Sequence, residues 1–150
     1  MESSGCFDSP GCRLSGEGVV NPAVMDAEAL NQLSKAVLDA AFAVHSELGP
    51  GLLESTYKAC LAYELSKRGV HVLPEVPVPV VYDGKKLADV GYRVDLLVEN
   101  ELIIEVKSVE AVHTAQLLSY LRLSKRRLGL LLNFNVVHLR DGIYRRVNRL

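Results

Sequence analysis

The sequence has no apolar run that approaches the ~20 residues needed to cross a membrane, and no basic segment followed by an apolar one near its start. Its three cysteines, Cys6, Cys12 and Cys60, form neither a CxxC pair nor a cluster with histidine. The odd number and the missing secretion signal argue against a disulfide framework, and the spacing argues against zinc. These absences predict a cytoplasmic protein that makes no contact with a membrane.

Charge is nearly balanced over the 150 residues, with a formal net charge of −1, but it is unevenly distributed. From Tyr120 onward a single acid, Asp141, stands among eight basic residues, which are Arg122, Lys125, Arg126, Arg127, Arg140, Arg145, Arg146 and Arg149. A basic C-terminal third beside an acidic cluster suits a protein that holds a polyanion near a bound metal. The alternative is an ordinary solvated surface.

The length suits one domain with a real core. Residues 1–24 are rich in Gly, Ser and Pro and show no periodicity, which predicts a disordered tail. Met25 directly precedes a helical pattern, so one hypothesis makes Met25 the true start of the protein. We expect residues 25–150 to form the folded domain.

The sequence predicts three helices: Asp26–Leu48, from its hydrophobic periodicity, a second from about Leu52 to Lys67, and a third from Val112 to about Arg126. The first ends at Gly49-Pro50-Gly51, and the second ends at Gly69.

Strand signals fill the rest of the chain. Val70–Tyr82 alternates but contains three prolines, which predicts an edge strand, and Asp83-Gly84 predicts a tight hairpin. The further predicted strands are Lys85–Val98 with a bulge near Gly91, Leu102–Ser108, Leu128–Phe134, and a terminal hairpin of Val136–Leu139 with Ile143–Val147. The order ααβββαβ plus a C-terminal hairpin predicts an α/β fold with a mixed sheet flanked by helices.

Charged residues interrupt two apolar strands that flank the turn at Glu99-Asn100-Glu101. Asp95 lies at the start of the first strand, and Glu105 and Lys107 lie on one face of the second. A hairpin would bring Asp95 close to both, and a divalent cation would compensate the two carboxylates. Carboxylates and backbone oxygens suit Mg²⁺ or Mn²⁺, so the pattern D…ExK predicts a hard-metal site.

Several motifs in order also resemble a known family. Gly51-Leu-Leu-Glu54-Ser-Thr-Tyr57 is similar to the motif that names the GxxExxY proteins, a family of the PD-(D/E)xK nuclease superfamily. The resemblance spans roughly Leu30 to Val147 and includes His45, Tyr92-Arg93-x-Asp95, Glu105-x-Lys107, His113-x-x-Gln116-x-x-x-Tyr120 and Leu-Leu-Asn133-Phe134. The proline of the PD signature is absent, because Val94 precedes Asp95.

The resemblance implies a restriction-endonuclease-like fold with a four-stranded core sheet and a role for each matched residue. Asp95 and Glu105 would ligate Mg²⁺ together with the Val106 carbonyl, and Lys107 would be the catalytic lysine. The remaining implied residues are Glu54 as an additional acid, Gln116 and Tyr120 as a QxxxY element lining the site, and Tyr57, His45 and His113 as supporting groups. From its place on or beside the apolar stripe of the first helix, His45 is most simply a core or boundary residue.

Together these observations favour a Mg²⁺-dependent (or Mn²⁺-dependent) nuclease that hydrolyses phosphodiester bonds in DNA. Arg122, Lys125 and Arg126 would then hold the strand backbone. Two alternatives stay open: a non-catalytic nucleic-acid-binding or assembly module with the same fold, and a nuclease that acts on RNA. The oligomeric state also stays open, a homo-oligomer included.

Overall fold

A computed structural model of the protein describes residues 25–88 and 92–148. The predicted tail of residues 1–24 and the predicted bulge at Gly91 lie outside these residues. The three predicted helices are present with slightly shifted ends, as α1 (Ala27–Leu48), α2 (Glu54–Lys67) and α3 (Ala115–Ser124). The Asp26 carboxylate accepts the Ala29 N–H and caps α1, which fixes its start where the sequence predicts it. No helix within the described ranges is long and apolar enough to span a membrane.

In the part of the chain that the structure describes, seven strands form two sheets. The strands are β1 (Val72–Pro77), β2 (Val80–Tyr82), β3 (Lys85–Ala88), β4 (Arg93–Val98), β5 (Leu102–Lys107), β6 (Leu128–Asn133) and β7 (Ile143–Val147). The main sheet has the order β1-β4-β5-β6-β7, and β2 pairs with β3 in a separate hairpin. Strands β5 and β6 are parallel because α3 carries the chain back between them, whereas the other pairs are antiparallel. The main sheet is therefore mixed, as predicted, with five strands in place of the expected four.

Two long predicted strands are each divided. Val70–Tyr82 becomes β1 and β2, and Lys85–Val98 becomes β3 and β4. The Val78 N–H donates to the Tyr92 carbonyl at 2.8 Å, which extends the pairing of β1 with β4 by one residue. The next residue, Pro79, has no N–H and cannot donate to a ladder. The chain therefore leaves the main sheet and forms the β2–β3 hairpin, whose Asp83-Gly84 turn has φ of 56° and 71° as the sequence predicts. Strand β1 is the edge strand that its prolines indicate.

The predicted pairing of Val136–Leu139 with Ile143–Val147 is wrong. Val136–Leu139 forms no strand, since a 3₁₀ turn occupies Leu139–Gly142, and β7 pairs instead with β6. Every residue of β6 is buried, so its backbone groups need a ladder on both sides, and β7 supplies the second one. Gly142 lies so close to β6 that a Cβ there would be 2.1 Å from the Asn133 carbonyl oxygen.

Helices cover both faces of the main sheet. Alternate residues such as Leu96, Ile104 and Leu130 join the larger core cluster with α1 and α2. The intervening residues, among them Leu97 and Ile103, pack with α3 in a smaller cluster. This arrangement of a mixed sheet between helices is the restriction-endonuclease-like architecture, and it leaves the open end of the β4–β5 hairpin near the start of α2.

Candidate active site

The two predicted carboxylates meet where β4 and β5 cease to pair. The ladder runs from Val98↔Leu102 to Leu96↔Ile104. At the next position Asp95 and Glu105 lie opposite each other. Here the side-chain carboxylates, and not the backbone carbonyls, accept hydrogen bonds from the neighbouring strand. The Val106 N–H donates to Asp95 Oδ2 at 2.7 Å, and the Asp95 N–H donates to Glu105 Oε2 at 3.4 Å. The structure thus brings the two acids together at the mouth of the hairpin.

Burial makes this carboxylate pair costly. Glu105 is 4% exposed, and its burial, followed by the negative charge of Asp95, raises the pKa of its carboxyl to about 8. Burial also raises the pKa of Asp95, although the Val106 N–H and two lysine charges oppose that shift. A cation bound between the two carboxyl groups would favour their ionised forms and so offset both the burial and the mutual repulsion.

Two lysines provide the positive charge near the pair. Lys107 follows Glu105 by two residues on the same face of β5, and its charge lowers the pKa of both carboxyls. Lys58 reaches in from α2, with its Nζ 3.8 Å from Asp95 Oδ1, and also forms an ion pair with Glu75 on β1. Sequence reasoning assigns no role to Lys58 or Glu75. For Lys58 a signal exists, because it lies one helical turn after Glu54.

A cavity of about 530 Å³ opens beside Asp95 and is lined by Glu54, Lys58, Asp95 and Val106, among others, whereas Glu105 is not part of its lining. Glu54 is the first residue of α2, and its carboxylate accepts the Ser108 N–H at 3.2 Å. The Ser108 hydroxyl donates to the Leu52 carbonyl at 2.7 Å. These bonds fasten the start of α2 to the end of β5, so Glu54 shares the cavity with Asp95.

The QxxxY element lies on α3. Tyr120 is 5% exposed and packs in the smaller core cluster with Val94 and Ile103, which lie within two residues of Asp95 and Glu105. Burial, followed by the charges of Glu105 and Asp95, raises the pKa of its hydroxyl. Gln116 lies one turn earlier on the same side of α3 and is exposed. His113 is exposed in the loop before α3. The structure therefore brings Tyr120 to the carboxylates and leaves Gln116 and His113 nearer the solvent.

Tyr57 and His45 form hydrogen bonds with the backbone of loops next to the site. The Tyr57 hydroxyl donates to the Gly49 carbonyl and accepts the Leu52 N–H at 3.1 Å, while its ring stacks on Phe134 at 4.5 Å. His45 Nε2 lies 2.8 Å from the Val136 carbonyl oxygen. Tyr57 thus holds the loop that leads into Glu54, and His45 holds the segment after β6.

Replacing Tyr57 with phenylalanine is expected to lower the free energy of unfolding by about 1–2 kcal/mol, because the ring stacking survives while two loop hydrogen bonds are lost. Urea unfolding measures this change. Tyr63→Phe is the matched control, since Tyr63 lies on the same helix and is 68% exposed. Equal effects of the two substitutions would contradict the role given to the Tyr57 hydroxyl.

The basic residues predicted to bind nucleic acid lie away from the carboxylates. Arg126 donates to the Asn100 carbonyl at 3.1 Å and to Asn100 Oδ1 at 2.7 Å. Asn100 is in the turn before β5, whereas Glu105 is near the end of that strand. Arg126 and Lys125, the residue that follows α3, therefore lie roughly 15 Å from the acids along the strand direction. Arg122 lies in the last turn of α3, toward that same end.

The donor set fits a hard divalent cation. Groups of three His, Cys, Asp or Glu side chains that could hold an ion do not occur within the residues described. The candidate ligands are therefore a pair of carboxylates, Asp95 and Glu105, together with a backbone oxygen. The pair of carboxylates keeps lone pairs free beyond its hydrogen bonds. The Val106 carbonyl faces β4 as its N–H does, because both groups of a strand residue point to the same neighbour. Two carboxylates and one backbone oxygen, completed by water, suit Mg²⁺ or Mn²⁺.

Two acids and a lysine at the open end of a hairpin, in a mixed sheet covered by helices, define a protein of the restriction-endonuclease-like class. Residues 31–147, most of the chain, match the family profile described as the PD-(D/E)XK nuclease superfamily. The chain belongs to that superfamily, and this membership indicates nuclease activity on a nucleic acid. No curated protein and no solved structure gives a significant match, so the narrower GxxExxY assignment stays a prediction.

Proposed function

We propose that the protein is a Mg²⁺- or Mn²⁺-dependent cytoplasmic nuclease that hydrolyses phosphodiester bonds in DNA at the Asp95–Glu105 site. One observation carries the proposal, namely two largely buried carboxylates that face each other where the ladder ends. A protein that only binds nucleic acid gains nothing from acids that repel phosphate, and burying them is costly. Superfamily membership supports the same reading.

Each residue of the site has a chemical task in this proposal. Asp95, Glu105 and the Val106 carbonyl hold the ion, with Glu54 as an additional acid across the cavity. A divalent ion bound there would lower the pKa of a coordinated water and offset the charge of a phosphate. Lys107 orients the attacking water or stabilises the negative charge that develops on the phosphate. Tyr120 and Gln116 line the approach along α3.

Metal binding should be visible in thermal stability. Saturating Mn²⁺ at about 100 times its Kd should stabilise the wild-type protein by roughly 2.7 kcal/mol. Asp95→Asn should lose this gain, because it removes a charged ligand yet keeps an oxygen that can accept the Val106 N–H. Asp39→Asn, an exposed carboxylate on α1, should behave like wild type. Stabilisation of equal size in Asp95→Asn would contradict the metal site.

Labelled single- and double-stranded DNA, with a matched RNA, tests the activity itself. Cleavage of DNA with Mg²⁺ or Mn²⁺ that stops in EDTA and in Asp95→Asn supports the proposal. Cleavage of RNA alone would replace DNA by RNA as the substrate. Binding without cleavage under any metal would support a non-catalytic binding or assembly module instead.

A further inference from the structure

Lys58 occupies a position that sequence reasoning does not assign. It lies on α2, lines the same cavity as Glu54 and Asp95, and keeps 25% of its side chain exposed. Its Nζ is 3.8 Å from Asp95 Oδ1, the oxygen that does not accept the Val106 N–H. The ammonium group therefore neutralises the side of Asp95 that is available to a metal.

A strained residue on the edge strand fixes this lysine. Glu75 has φ of 55° in the middle of β1, a backbone conformation that is uncommon for residues other than glycine. The pairing of β1 with β4 skips it, passing from Pro74↔Leu96 to Val76↔Val94. This local break lies opposite Asp95, and there the Glu75 carboxylate forms an ion pair with Lys58. Such strain persists when the surrounding structure enforces it, often at functional sites.

We propose that Lys58 competes with the divalent cation for Asp95, and that Glu75 holds Lys58 back and so sets the metal affinity of the site. The inference rests on the metal site proposed above. Two cationic groups cannot approach one carboxylate oxygen without repelling each other. When the Lys58 ammonium group is bound to the Glu75 carboxylate, Asp95 can bind the ion. Without the ion pair to Glu75, the ammonium group binds Asp95 instead. Both are positioning residues, since they act on the ion through Asp95.

The Kd for Mn²⁺, measured without DNA by calorimetry or by the spin-resonance signal of free Mn²⁺, tests this proposal at one fixed pH. Lys58→Met should tighten Mn²⁺ binding on the order of tenfold, because a positive charge a few ångströms from the ion is removed. Lys58→Arg keeps the charge and should stay within about threefold of wild type. Lys67→Met removes a lysine from the far end of the same helix and should leave the Kd unchanged.

Glu75→Gln should weaken Mn²⁺ binding several-fold by releasing Lys58. If Glu75 acts through Lys58, the same substitution should change the Kd less than twofold in the Lys58→Met background. An equal effect in both backgrounds would show that Glu75 contributes only its own charge, which would overturn its assigned role. A Lys58→Met variant that folds and binds Mn²⁺ no more tightly than wild type would overturn the competition.

The two proposals fail in different ways. If the wild-type protein does not bind Mn²⁺, or if Asp95→Asn binds it as well, the metal site itself is wrong. If Mn²⁺ binds and Asp95→Asn abolishes binding, while Lys58→Met and Lys58→Arg match wild type, only the inference on Lys58 is wrong. Circular dichroism of each variant confirms that the affinities refer to folded protein.

Discussion

Replacing Lys107 with methionine is expected to lower the rate of DNA cleavage about 10²–10³-fold, the usual cost of removing one group that stabilises developing charge. Methionine has a similar length and keeps the apolar part of the lysine side chain. Lys107 is not among the proposed ligands, so Mn²⁺ should still bind, and more tightly because a nearby positive charge is gone. Single-turnover cleavage at saturating Mn²⁺ measures the rate.

Lys35→Met is the control for this experiment, because Lys35 is an exposed lysine on α1 that pairs with Asp39. It should cleave DNA at the wild-type rate. If Lys107→Met cleaves as fast as the control, Lys107 has no catalytic role. If it loses both cleavage and Mn²⁺ binding, Lys107 supports the metal site and does not act on the phosphate.

The metal-free protein is expected to lose stability as the pH rises from about 5 to above 8. The pKa of Glu105 in the folded state, about 8, lies above its ordinary value of 4.5. The folded protein therefore binds the proton more tightly than the unfolded chain between these values, and the free energy of unfolding falls with pH across that window. The loss amounts to several kcal/mol at about 1.4 kcal/mol per pH unit. Asp95 adds a loss of the same sign that begins near its ordinary pKa of 3.8, since burial also raises its pKa.

Urea unfolding in EDTA at a series of pH values measures this loss. Glu105→Gln cannot ionise, so it should flatten the pH dependence and exceed wild type in stability at pH 8. Glu47→Gln, on the exposed side of α1, should follow the wild-type curve. Saturating Mn²⁺ should restore most of the lost stability, because the ion replaces the proton. A flat wild-type curve in EDTA would contradict the burial argument for Glu105.

Local sequence signals predict much of this fold. The first helix has a clear hydrophobic periodicity, glycines mark the ends of the first two helices, and the β4–β5 hairpin follows from two apolar runs around a polar turn. The partner of β7 is not predicted, because the sequence of Ile143–Val147 suits an edge beside any strand. Only the burial of β6 decides the choice, and burial depends on the whole sheet.

The same limit applies to the site. Asp95 and Glu105 could be placed together because one hairpin positions both, and a period of two aligns Lys107 with Glu105. Lys58 and Glu75 come from a helix and an edge strand that meet only in the folded protein. The left-handed conformation of Glu75 has no signature in the sequence, since tertiary contacts impose it. Arg126 illustrates the converse, because its charge is evident in the sequence but its distance from the acids is not.

The bond from the Val106 amide to Asp95 makes one end of a hairpin depend on a side chain that the proposed chemistry also needs. An Asp95→Ala substitution would leave the partly buried Val106 N–H without its acceptor, at a cost of about 1–3 kcal/mol in the free energy of unfolding. Inactivity of such a variant would mix structural damage with lost reactivity. Loss of Asp95 during evolution would therefore cost stability as well as activity, because another group would have to replace its hydrogen bond between β4 and β5.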